Sequence, residues 1–400
     1  MGTYYRGYKL KIYPTEEQKT VLNQFNDLFR YVYNWGIAKE EEIYELYQEG
    51  LSDYQFYSFY ELCSLFTQLR NMPDNDWLKN IPSTTAKLAL RNVVNAYKDF
   101  FKNNTNHPKF KSKKKSKFSF NTRNDRFRIK NNCIKIEGID ETISLGFYSE
   151  LLINENKKSL TKAINPVISK DNLGNYYVSF SLEEESKDLS VPKSEGIGID
   201  IGERRTYILS DGEIYNQPKK KLERLERRRI KQQQQVQRDI DRRMSIAKHT
   251  KTKYGDIRKS KRAIKREIAL DKTCRRQANI KNTFYDQITN KIVKENPEFV
   301  CMETLSVNNM KKNKIVSKLL NTSFYDMVQK MKIKCNQYNI PFIQAPKNFA
   351  STKTCSNCGH IKVMKGKHTY RCPNCGMIED RDVNAAKNLY NYGLKNINNI

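Results

Sequence analysis

Residues 196–202 read GIGIDIG, a short apolar stretch in which one carboxylate, Asp200, lies among glycines and isoleucines. A strand that is apolar on both faces is typical of a parallel sheet covered by helices. The glycines leave room around Asp200, whose charge such a strand would otherwise exclude because of the cost of desolvation. The stretch therefore predicts an α/β domain with a carboxylate where a buried strand meets solvent.

The residues that follow this strand continue the α/β pattern, with alternating strand-like and helix-like runs. VPKSEG at 191–196 is typical of a linker, so the α/β part is expected to begin there. Its further predicted elements are a hairpin at 206–216, helices at about 221–247 and 257–296, a buried strand at 298–303, a helix at 323–339 and a last strand at 341–345.

The residues before the linker predict a smaller β domain with helices inserted into it. Residues 3–13 alternate as a strand does, and short alternating runs with Asn, Gly and Asp turns return between about 118 and 182. Thr15 and Gln18 are spaced as a capping box for the first inserted helix, and Ser83 is expected to cap the third. These helices are expected at about 15–48, 54–70 and 84–102.

Charge indicates the class of partner. The 400 residues contain 73 Lys+Arg against 44 Asp+Glu, a formal net charge of +29, which an ordinary metabolic enzyme does not carry without a polyanionic partner. The segment from Lys219 to Arg266 contains 20 Lys/Arg and five Asp/Glu, whereas codon bias would spread the charge evenly. A hydrophobic content of 38% still allows packed cores, and no apolar run approaches the ~18 residues of a spanning helix. We expect a soluble, intracellular chain that binds nucleic acid.

A second basic segment, HPKFKSKKKSKFSF at 107–120, interleaves lysines with phenylalanines. Basic residues beside aromatic rings suit a groove that follows a nucleic-acid backbone and offers surfaces for stacking. The candidate nucleic-acid contacts of the two basic segments are Lys109, Lys111, Lys113, Lys114, Lys115, Lys117, Arg227, Arg228 and Arg229.

Two further carboxylates occupy positions comparable with that of Asp200. Glu303 ends the apolar run VCME, and Asp382 lies in EDRDVNAAKNLY, on the first turn of a predicted helix. Three carboxylates that converge from separate elements repel one another, and the usual solution is a divalent metal, so Mg²⁺ is implied. Two such ions ~4 Å apart can activate water and stabilise the leaving oxygen in phosphodiester hydrolysis. The neighbouring Glu379 and Asp380 are interpreted as a helix cap or surface ion pair.

The segment CSNCGHIKVMKGKHTYRCPNCG predicts a structural zinc site with a short hairpin between its two C-x-x-C pairs. Four thiolates fill a tetrahedral site, so His360 and His368 are not needed as ligands. Two disulfides are the alternative, which is improbable in a chain without a signal sequence. The other five cysteines are interpreted as reduced core residues. The zinc ligands are Cys355, Cys358, Cys372 and Cys375.

With these residues in view, the chain resembles the TnpB proteins, RNA-guided nucleases of bacterial insertion sequences that are related to compact type V CRISPR effectors. The resemblance implies an RNase H-like RuvC domain whose catalytic, Mg²⁺-binding residues are Asp200, Glu303 and Asp382, with two Mg²⁺ ions and one structural Zn²⁺. Its motifs occur in family order over nearly the whole chain: KLKIYPTEEQ, FRYVYNWGIA, IPSTTAKLAL, HPKFKSKKKSKFSF, GIDIG, METLSVNNM, STKTCSNCGH, RCPNCG and DRDVNAAKN.

The resemblance also implies a multidomain α+β fold and a set of partners. A guide RNA would pair with target double-stranded DNA next to a short motif, and the protein would cut it. We expect a monomer without an obligatory protein partner or membrane contact, in the bacterial cytoplasm and associated with the nucleoid. The implied domains are the first strand of a wedge β-barrel at 1–14, a helical recognition domain at 15–105, the rest of the barrel at 106–190, the RuvC-like nuclease with long basic helices at 191–350, the zinc ribbon at 351–378 and the RuvC C-terminal helix at 379–400.

Three other functions remain open at this point. A transposase could use three carboxylates on an RNase H-like fold, although a zinc ribbon between Glu303 and Asp382 favours the TnpB arrangement. A nuclease-inactive RNA-guided regulator would lack one carboxylate, and all three are present. A zinc-ribbon RNA-binding protein without catalysis would leave the placement of the carboxylates unexplained.

Overall fold

The structure is a computed structural model, and it divides the chain into two compact units. One unit consists of Tyr5–Glu184 and the other of Met1–Tyr4 with Glu185–Ile400. None of the helices in the described ranges combines the length and apolar character needed to cross a bilayer. The described residues are 3–102, 105–113, 116–130, 132–146, 163–186, 191–202, 205–304, 316–362 and 368–399, with the backbone alone for 130, 316–323 and 399.

A seven-stranded sheet, in the order β2-β6-β7-β1-β5-β4-β3, forms the first unit. The N-terminal strand lies between β7 and β5, so the strand that precedes the helices and the strands that follow them share one sheet, as the alternation of residues 3–13 predicted. The strand at 164–170 was missed because Pro166 interrupts its pattern, and the register shifts there between Ile164 and Val167. The strands are β1 (Thr3–Tyr13), β2 (Ser119–Asn121), β3 (Arg128–Lys130), β4 (Cys133–Lys135), β5 (Ile143–Leu145), β6 (Ile164–Lys170) and β7 (Tyr176–Glu185).

Three α-helices, α1 (Glu16–Gln48), α2 (Phe59–Asn71) and α3 (Ser83–Phe101), and a 3-10 helix at Pro73–Asn80 complete this unit, and α1 and α3 contact strand β2 of the sheet. The capping box of Thr15 and Gln18 is confirmed. Helix α2 begins five residues later than expected because Ser58 and Glu61 form a capping box of their own. The cap assigned to Ser83 is wrong: Ser83 is the first helical residue, and Pro82 precedes the helix without a side-chain cap.

The core of the first unit lies between these helices and the sheet. Phe25 and Phe29 on α1 place their rings 6.1 and 6.3 Å from that of Phe120 on β2. All three side chains are at most 3% exposed. The contact anchors α1 beside the end of the second basic segment, because Phe120 is its last residue.

The second unit is built on a five-stranded sheet in the order β10-β9-β8-β11-β12. Strands β8, β11 and β12 are parallel, while β9 and β10 are antiparallel additions at one edge. This arrangement confirms the mixed α+β fold and the hairpin expected from the sequence. The strands are β8 (Ile197–Asp200), β9 (Tyr207–Leu209), β10 (Ile214–Tyr215), β11 (Val300–Glu303) and β12 (Phe342–Ala345).

Helices cover both faces of this sheet. The residues in and next to strand β11 contact two separate apolar clusters. Val300 and Met302 belong to one cluster, and Phe299 and Cys301 belong to the other. Alternate residues of a strand point to opposite faces, so the two clusters lie on opposite sides of the sheet. Helices α5 and α6 contribute to the first cluster and α7 to the second. The helices are α4 (Lys219–His249), α5 (Lys261–Lys294), α6 (Val316–Gln337) and α7 (Arg381–Asn396).

Helix α7 approaches β8 so closely that glycine is required at the contact. A Cβ atom on Gly198 would lie 2.1 Å from the carbonyl oxygen of Ala386 and 2.3 Å from the backbone nitrogen of Tyr390. On the helix side, a Cβ atom on Gly393 would lie 2.2 Å from the ring of Phe299. The glycine that the sequence places beside Asp200 therefore fixes the position of α7.

Candidate functional site

Asp200 and Glu303 lie at the same edge of the second sheet. Each is the last residue of its strand, and the parallel register pairs Ile199 with Met302, the residues that precede them. Asp200 is only 7% exposed, and Glu303 is half-buried. Because the carboxyl ends of parallel strands meet at one edge, the two carboxylates are neighbours.

Asp382 reaches this edge from α7. It precedes Ala386, the residue over Gly198, by one helical turn or about 6 Å. Asp200 follows Gly198 by two strand residues, or about 7 Å. The first turn of α7 thus lies over the end of β8, and the structure brings together the three carboxylates that the sequence singled out.

The charges of these groups interact. The pKa of Asp200 is raised to about 8, mainly by burial and then by the charges of Glu303 and Asp382, while a backbone hydrogen bond and the charge of Arg381 oppose the rise. Burial also raises the pKa of Glu303, and a 3.5 Å hydrogen bond donated by the Ser351 hydroxyl opposes this rise. Carboxylates that resist ionisation together are the donor set that a divalent cation accepts. By donor chemistry these residues suit Mg²⁺. Among the described residues, however, the four cysteines, and not the three carboxylates, form a group whose ligand atoms all lie within 4.8 Å of one another.

Two ion pairs hold the N-terminus of α7 in place. Asp380 caps the helix by accepting hydrogen bonds from the backbone of Asp382 at 2.9 Å and Val383 at 3.3 Å. Its second carboxylate oxygen lies 2.8 Å from Arg205. Glu379 pairs with Lys387. The interpretation of these two acids as a cap and an ion pair is confirmed.

Arginines near the carboxylates were missed by the sequence analysis. Arg381 contacts Asp382, with Nη2 3.0 Å from the carboxylate, and Arg205 comes from the turn before β9. For Arg381 the alternating signs of the DRD motif were the available signal, because a cation next to a site carboxylate is placed to compensate it.

The four cysteines of the zinc motif converge. All four Sγ atoms lie within 4.8 Å of one another, and the closest pairs are 3.6 Å and 3.5 Å apart. Four thiolates around Zn²⁺ at ~2.3 Å would be ~3.8 Å apart, whereas a disulfide requires ~2.05 Å. The donors therefore fit zinc, and all of these thiols are free.

Amide groups stabilise the exposed thiolates of this cluster. Asn374 donates to Cys358, and this bond is the main reason that the pKa of Cys358 is lowered to about 6. Asn357 likewise donates to Cys375. Burial instead raises the pKa of Cys355 to about 11. A metal ion would compensate both kinds of thiol, because it binds the deprotonated form.

The second knuckle forms a hairpin of strands β13 (Thr369–Arg371) and β14 (Ile378–Asp380). The sequence predicted a hairpin at a different place, between the two cysteine pairs. The central residues of that predicted hairpin, 363–367, lie outside the described residues. Strand β14 leads directly into α7, so the cysteine cluster and Asp382 are covalently close.

Three asparagines of α7 bind the first knuckle. Asn384 accepts from the backbone of Ser356 and donates to the carbonyl of Thr354, at 2.9 and 2.8 Å. Asn388 donates to the carbonyls of Ser351 and Thr354, at 2.8 and 2.7 Å. Asn391 donates to Ser356 at 3.1 Å. The sequence analysis missed this asparagine ladder (Asn384, Asn388 and Asn391), although the spacing i, i+4, i+7 marks one helix face.

The second basic segment is docked on α1. The backbone of Lys111 exchanges two hydrogen bonds with the side chain of Asn34, and its ammonium lies 3.6 Å from the ring centroid of Tyr33. Burial lowers the pKa of Lys111. Lys113 pairs with Asp27 at 2.7 Å. Of the other predicted contacts, Lys109 and Lys117 are exposed, and Lys114 and Lys115 lie outside the described residues.

A cleft of about 830 Å³ opens between this segment, α1 and α3. Lysines of the segment form one side, and amides and an arginine form the other. The sequence analysis missed this second group, for which the available signal was the polar stripe of Asn23, Asn26 and Arg30 at i, i+3 and i+7 on one face of α1. Its members are Asn23, Asn26, Arg30, Asn92 and Asn121.

The three arginines predicted on α4 differ in their surroundings. Arg229 pairs with Glu226 at 2.7 Å on the same helix, and Gln277 of α5 donates to that glutamate. Arg227 and Arg228 are exposed. Glu226 therefore links the helix pair through Gln277, Arg229 is engaged within α4 by the same glutamate, and the other two arginines are available to solvent.

The remaining cysteines are free thiols, as expected. Cys63, Cys301 and Cys335 are buried, and Cys133 is half-buried. The interpretation as core residues is wrong for Cys274, which is exposed on α5.

Comparisons with known proteins cover nearly the whole chain. A Streptomyces pristinaespiralis protein named "Putative RNA-guided DNA endonuclease" is 26% identical over 97% of this chain and 89% of its own. The Escherichia coli protein "Putative RNA-guided DNA endonuclease InsQ" is 23% identical over 96% of this chain and 91% of its own. A mimivirus TnpB-like protein, L79, is 34% identical over 34% of this chain and 27% of its own.

Two family models match parts of the chain. The model "Cas12f1-like, TNB domain" matches residues 324–389, and a "Helix-turn-helix domain" matches residues 1–49. In the structure, the described part of the latter range is one strand and a single 33-residue helix. A solved Cas12f1–sgRNA–target DNA complex contains a chain that matches with a TM-score of 0.58 and 14% identity, covering 97% of this chain and 99% of that one. This match supports the overall mixed α+β fold.

Proposed function

Because the chain is a relative of the TnpB proteins, we propose that it is an RNA-guided DNA endonuclease, and that Asp200, Glu303 and Asp382 are its catalytic residues. The observation that carries the proposal is the interaction of the three carboxylates at one sheet edge, where Asp200 is 7% exposed and has its pKa raised by burial and by the charges of the other two. Buried like charges are costly, so their placement together favours a role in binding cations.

The three carboxylates would hold two Mg²⁺ ions, which supply the charge that activates water and stabilises the leaving oxygen in phosphodiester hydrolysis. The chain supplies the positions. Asp200 and Glu303 are fixed by the register of β8 on β11, and the hydroxyl of Ser351 orients Glu303. Asp382 is fixed by the Asp380 cap.

The four cysteines would hold one structural Zn²⁺. Their site has no open coordination position, so the ion contributes to folding and takes no part in the reaction. The asparagine ladder links this ribbon to the helix that carries Asp382, and Ser351, which accepts from Asn388, also contacts Glu303. The ribbon would thus support the geometry of the nuclease site from outside it.

The first unit and the long helix pair would bind nucleic acid. We assign the sheet of the first unit to a wedge β-barrel and its helices to a recognition domain, with boundaries at 1–14, 15–105 and 106–190. The second unit would be the RuvC-like domain, 191–350 and 379–400, with the zinc ribbon at 351–378. The basic cleft beside α1 and the exposed Arg227 and Arg228 are the proposed contacts to guide RNA and to the RNA–DNA duplex.

Asp200→Ala tests this function in the full-length protein purified with its copurifying RNA. Cleavage of DNA matched to that RNA should be lost, while RNA and DNA binding persist, because the carboxylate is needed for metal and not for docking. Asp211→Ala, which alters an exposed acid of the same unit, is the matched control. Full cleavage by Asp200→Ala would refute the catalytic assignment.

Sequencing the copurified RNA tests the guided mode independently. A single scaffold with a variable end is expected for an RNA-guided enzyme. A mixture of unrelated cellular RNA would instead favour a general RNA-binding protein.

A further inference from the structure

Arg381 lies between the cap of α7 and one of the three site carboxylates. Its guanidinium donates twice to Oδ1 of Asp382, from Nε at 3.1 Å and from Nη2 at 3.0 Å. Its backbone N–H donates to the carbonyl of His368 at 2.8 Å, immediately before β13. The main chain of Arg381 is therefore held on two sides, while its side chain is 31% exposed.

Arg381 also provides positive charge to the site. Within the described residues, it is the cation whose charge acts on Asp200, against the charges of Glu303 and Asp382. The other nearby arginine, Arg205, is paired with Asp380 at 2.8 Å. The negative charge of the three carboxylates is therefore larger than the positive charge that Arg381 provides.

A cation bound through Oδ1 of Asp382 would compete with Arg381 for that oxygen, whereas a cation bound through Oδ2 alone would leave the pair intact. Oδ1 accepts two N–H groups, and an oxygen bonded directly to a small divalent ion cannot keep both. Arg381 then loses its partner while its backbone stays in place, and its planar fork becomes free beside the carboxylates. A guanidinium binds phosphate in the same bidentate way as it binds carboxylate.

We propose that a metal ion binds Asp382 through Oδ1 and that Arg381 therefore changes partner during the reaction: it pairs with Asp382 before metal binds and contacts a phosphate of the nucleic-acid substrate afterwards. The inference rests on the proposed function, because it requires a phosphodiester at this site. It makes Arg381 a substrate-contacting catalytic residue and an intrinsic competitor of the metal.

The test measures metal affinity and cleavage separately in the full-length protein with its RNA. Mn²⁺, a paramagnetic substitute for Mg²⁺, is titrated and followed by electron paramagnetic resonance. Arg381→Ala should bind Mn²⁺ about 2- to 5-fold more tightly, since a partly exposed ion pair no longer competes. At saturating Mg²⁺ its cleavage rate should fall on the order of 100-fold, as expected for loss of a donor to developing charge.

Two further variants separate charge from geometry. Arg381→Lys keeps the charge without the fork, so it should bind Mn²⁺ nearly as the wild type does and still cleave more slowly. Arg371→Ala removes an exposed arginine from β13 and should change neither quantity. Bound zinc, measured in every variant, shows that the ribbon remains folded.

Weaker Mn²⁺ binding by Arg381→Ala would overturn the proposal, because Arg381 would then support Asp382 as a ligand. Unchanged cleavage at saturating Mg²⁺ would overturn it as well, because no substrate contact would have been lost. Failure of the proposed function is recognised separately: Asp200→Ala would then cleave as the wild type does, whatever Arg381 does.

Discussion

Gly198 offers the sharpest test of how the fold positions the carboxylates. The change Gly198→Ala adds one methyl group to β8, two residues before Asp200. That methyl carbon would lie 2.1 Å from the carbonyl oxygen of Ala386 and 2.3 Å from the nitrogen of Tyr390. Both atoms belong to the helix backbone, so no side-chain rotation can relieve the contact. Helix α7 must move away from the sheet.

The size of the movement follows from these distances. Side-chain carbons essentially never approach other atoms within 3.0 Å, so α7 must retreat by about 1 Å. Overpacking of this kind costs about 3 kcal/mol, at the upper end of the usual range, because backbone has to shift. Displacing a catalytic group by 1 Å costs about 100-fold in rate, and Asp382 moves with the helix. We therefore expect loss of both stability and cleavage.

Hydrogen exchange measured by mass spectrometry is the appropriate stability assay. Tryptophan fluorescence would not report on this change, because Trp35 and Trp77 both lie in the other unit. Peptides from β8 and α7 should exchange on the order of 100-fold faster, while those from α1 stay unchanged. Gly7→Ala is the control, since Gly7 is exposed and a methyl group added there would meet no atom within 4 Å. This control should change stability by less than about 0.5 kcal/mol.

Wild-type exchange in α7 together with wild-type cleavage by Gly198→Ala would refute this reasoning. The close contact between β8 and α7 would then not exist in solution. The placement of Asp382 over Asp200 would lose its main support, because that placement is measured from Gly198 and Ala386.

Three further outcomes are expected. Burial raises the pKa of Glu40 to about 7, so its folded form binds a proton that the unfolded chain releases between about pH 4.5 and 7. Stability should fall over that window by up to about 3 kcal/mol, and Glu40→Gln, followed by tryptophan fluorescence in urea, should show a much shallower fall. Replacing Cys355 and Cys358 with Ser should abolish bound zinc, measured by atomic absorption, and leave α1 intact in hydrogen exchange. Asn388→Ala should cost about 1 to 2 kcal/mol, because the buried carbonyl of Ser351 loses its donor while the carbonyl of Thr354 keeps Asn384. Faster exchange limited to the ribbon and α7 would show this loss, whereas unchanged exchange there would contradict the ladder.

The sequence predicted best those features that depend on short-range patterns. Strands β8 and β11 are unbroken apolar runs, as expected for strands buried on both faces. Strand β1 alternates between apolar and polar residues, as expected for a strand buried on one face. The capping box of Thr15 and Gln18 is equally local. Strand β6 was not predicted because it contains Pro166, and a proline normally argues against a strand. The sheet accommodates this proline where the register shifts between Ile164 and Val167.

The site was predictable in part for the same reason. Asp200, Glu303 and Asp382 each end or begin a recognisable element, so their positions at element termini could be inferred without coordinates. The contacts of Arg205 and Asn388 could not be inferred in this way. Asp380 lies 175 residues from Arg205, and Ser351 lies 37 residues from Asn388, and no local sequence pattern specifies such distant partners. Such pairings depend on how the elements pack, which only the folded chain determines.

Helix α7 concentrates these dependencies in 16 residues. One face packs on the sheet through Ala386 and Gly393, a second binds the zinc ribbon through the asparagine ladder, and the N-terminal turn carries Asp382. A rotation of the helix that improved one contact would disrupt the others, because residues on one helix keep fixed angular relations. The ribbon and the sheet therefore set the position of Asp382 jointly. For that reason zinc removal, although remote from any reacting atom, should weaken cleavage through the same helix as Gly198→Ala does.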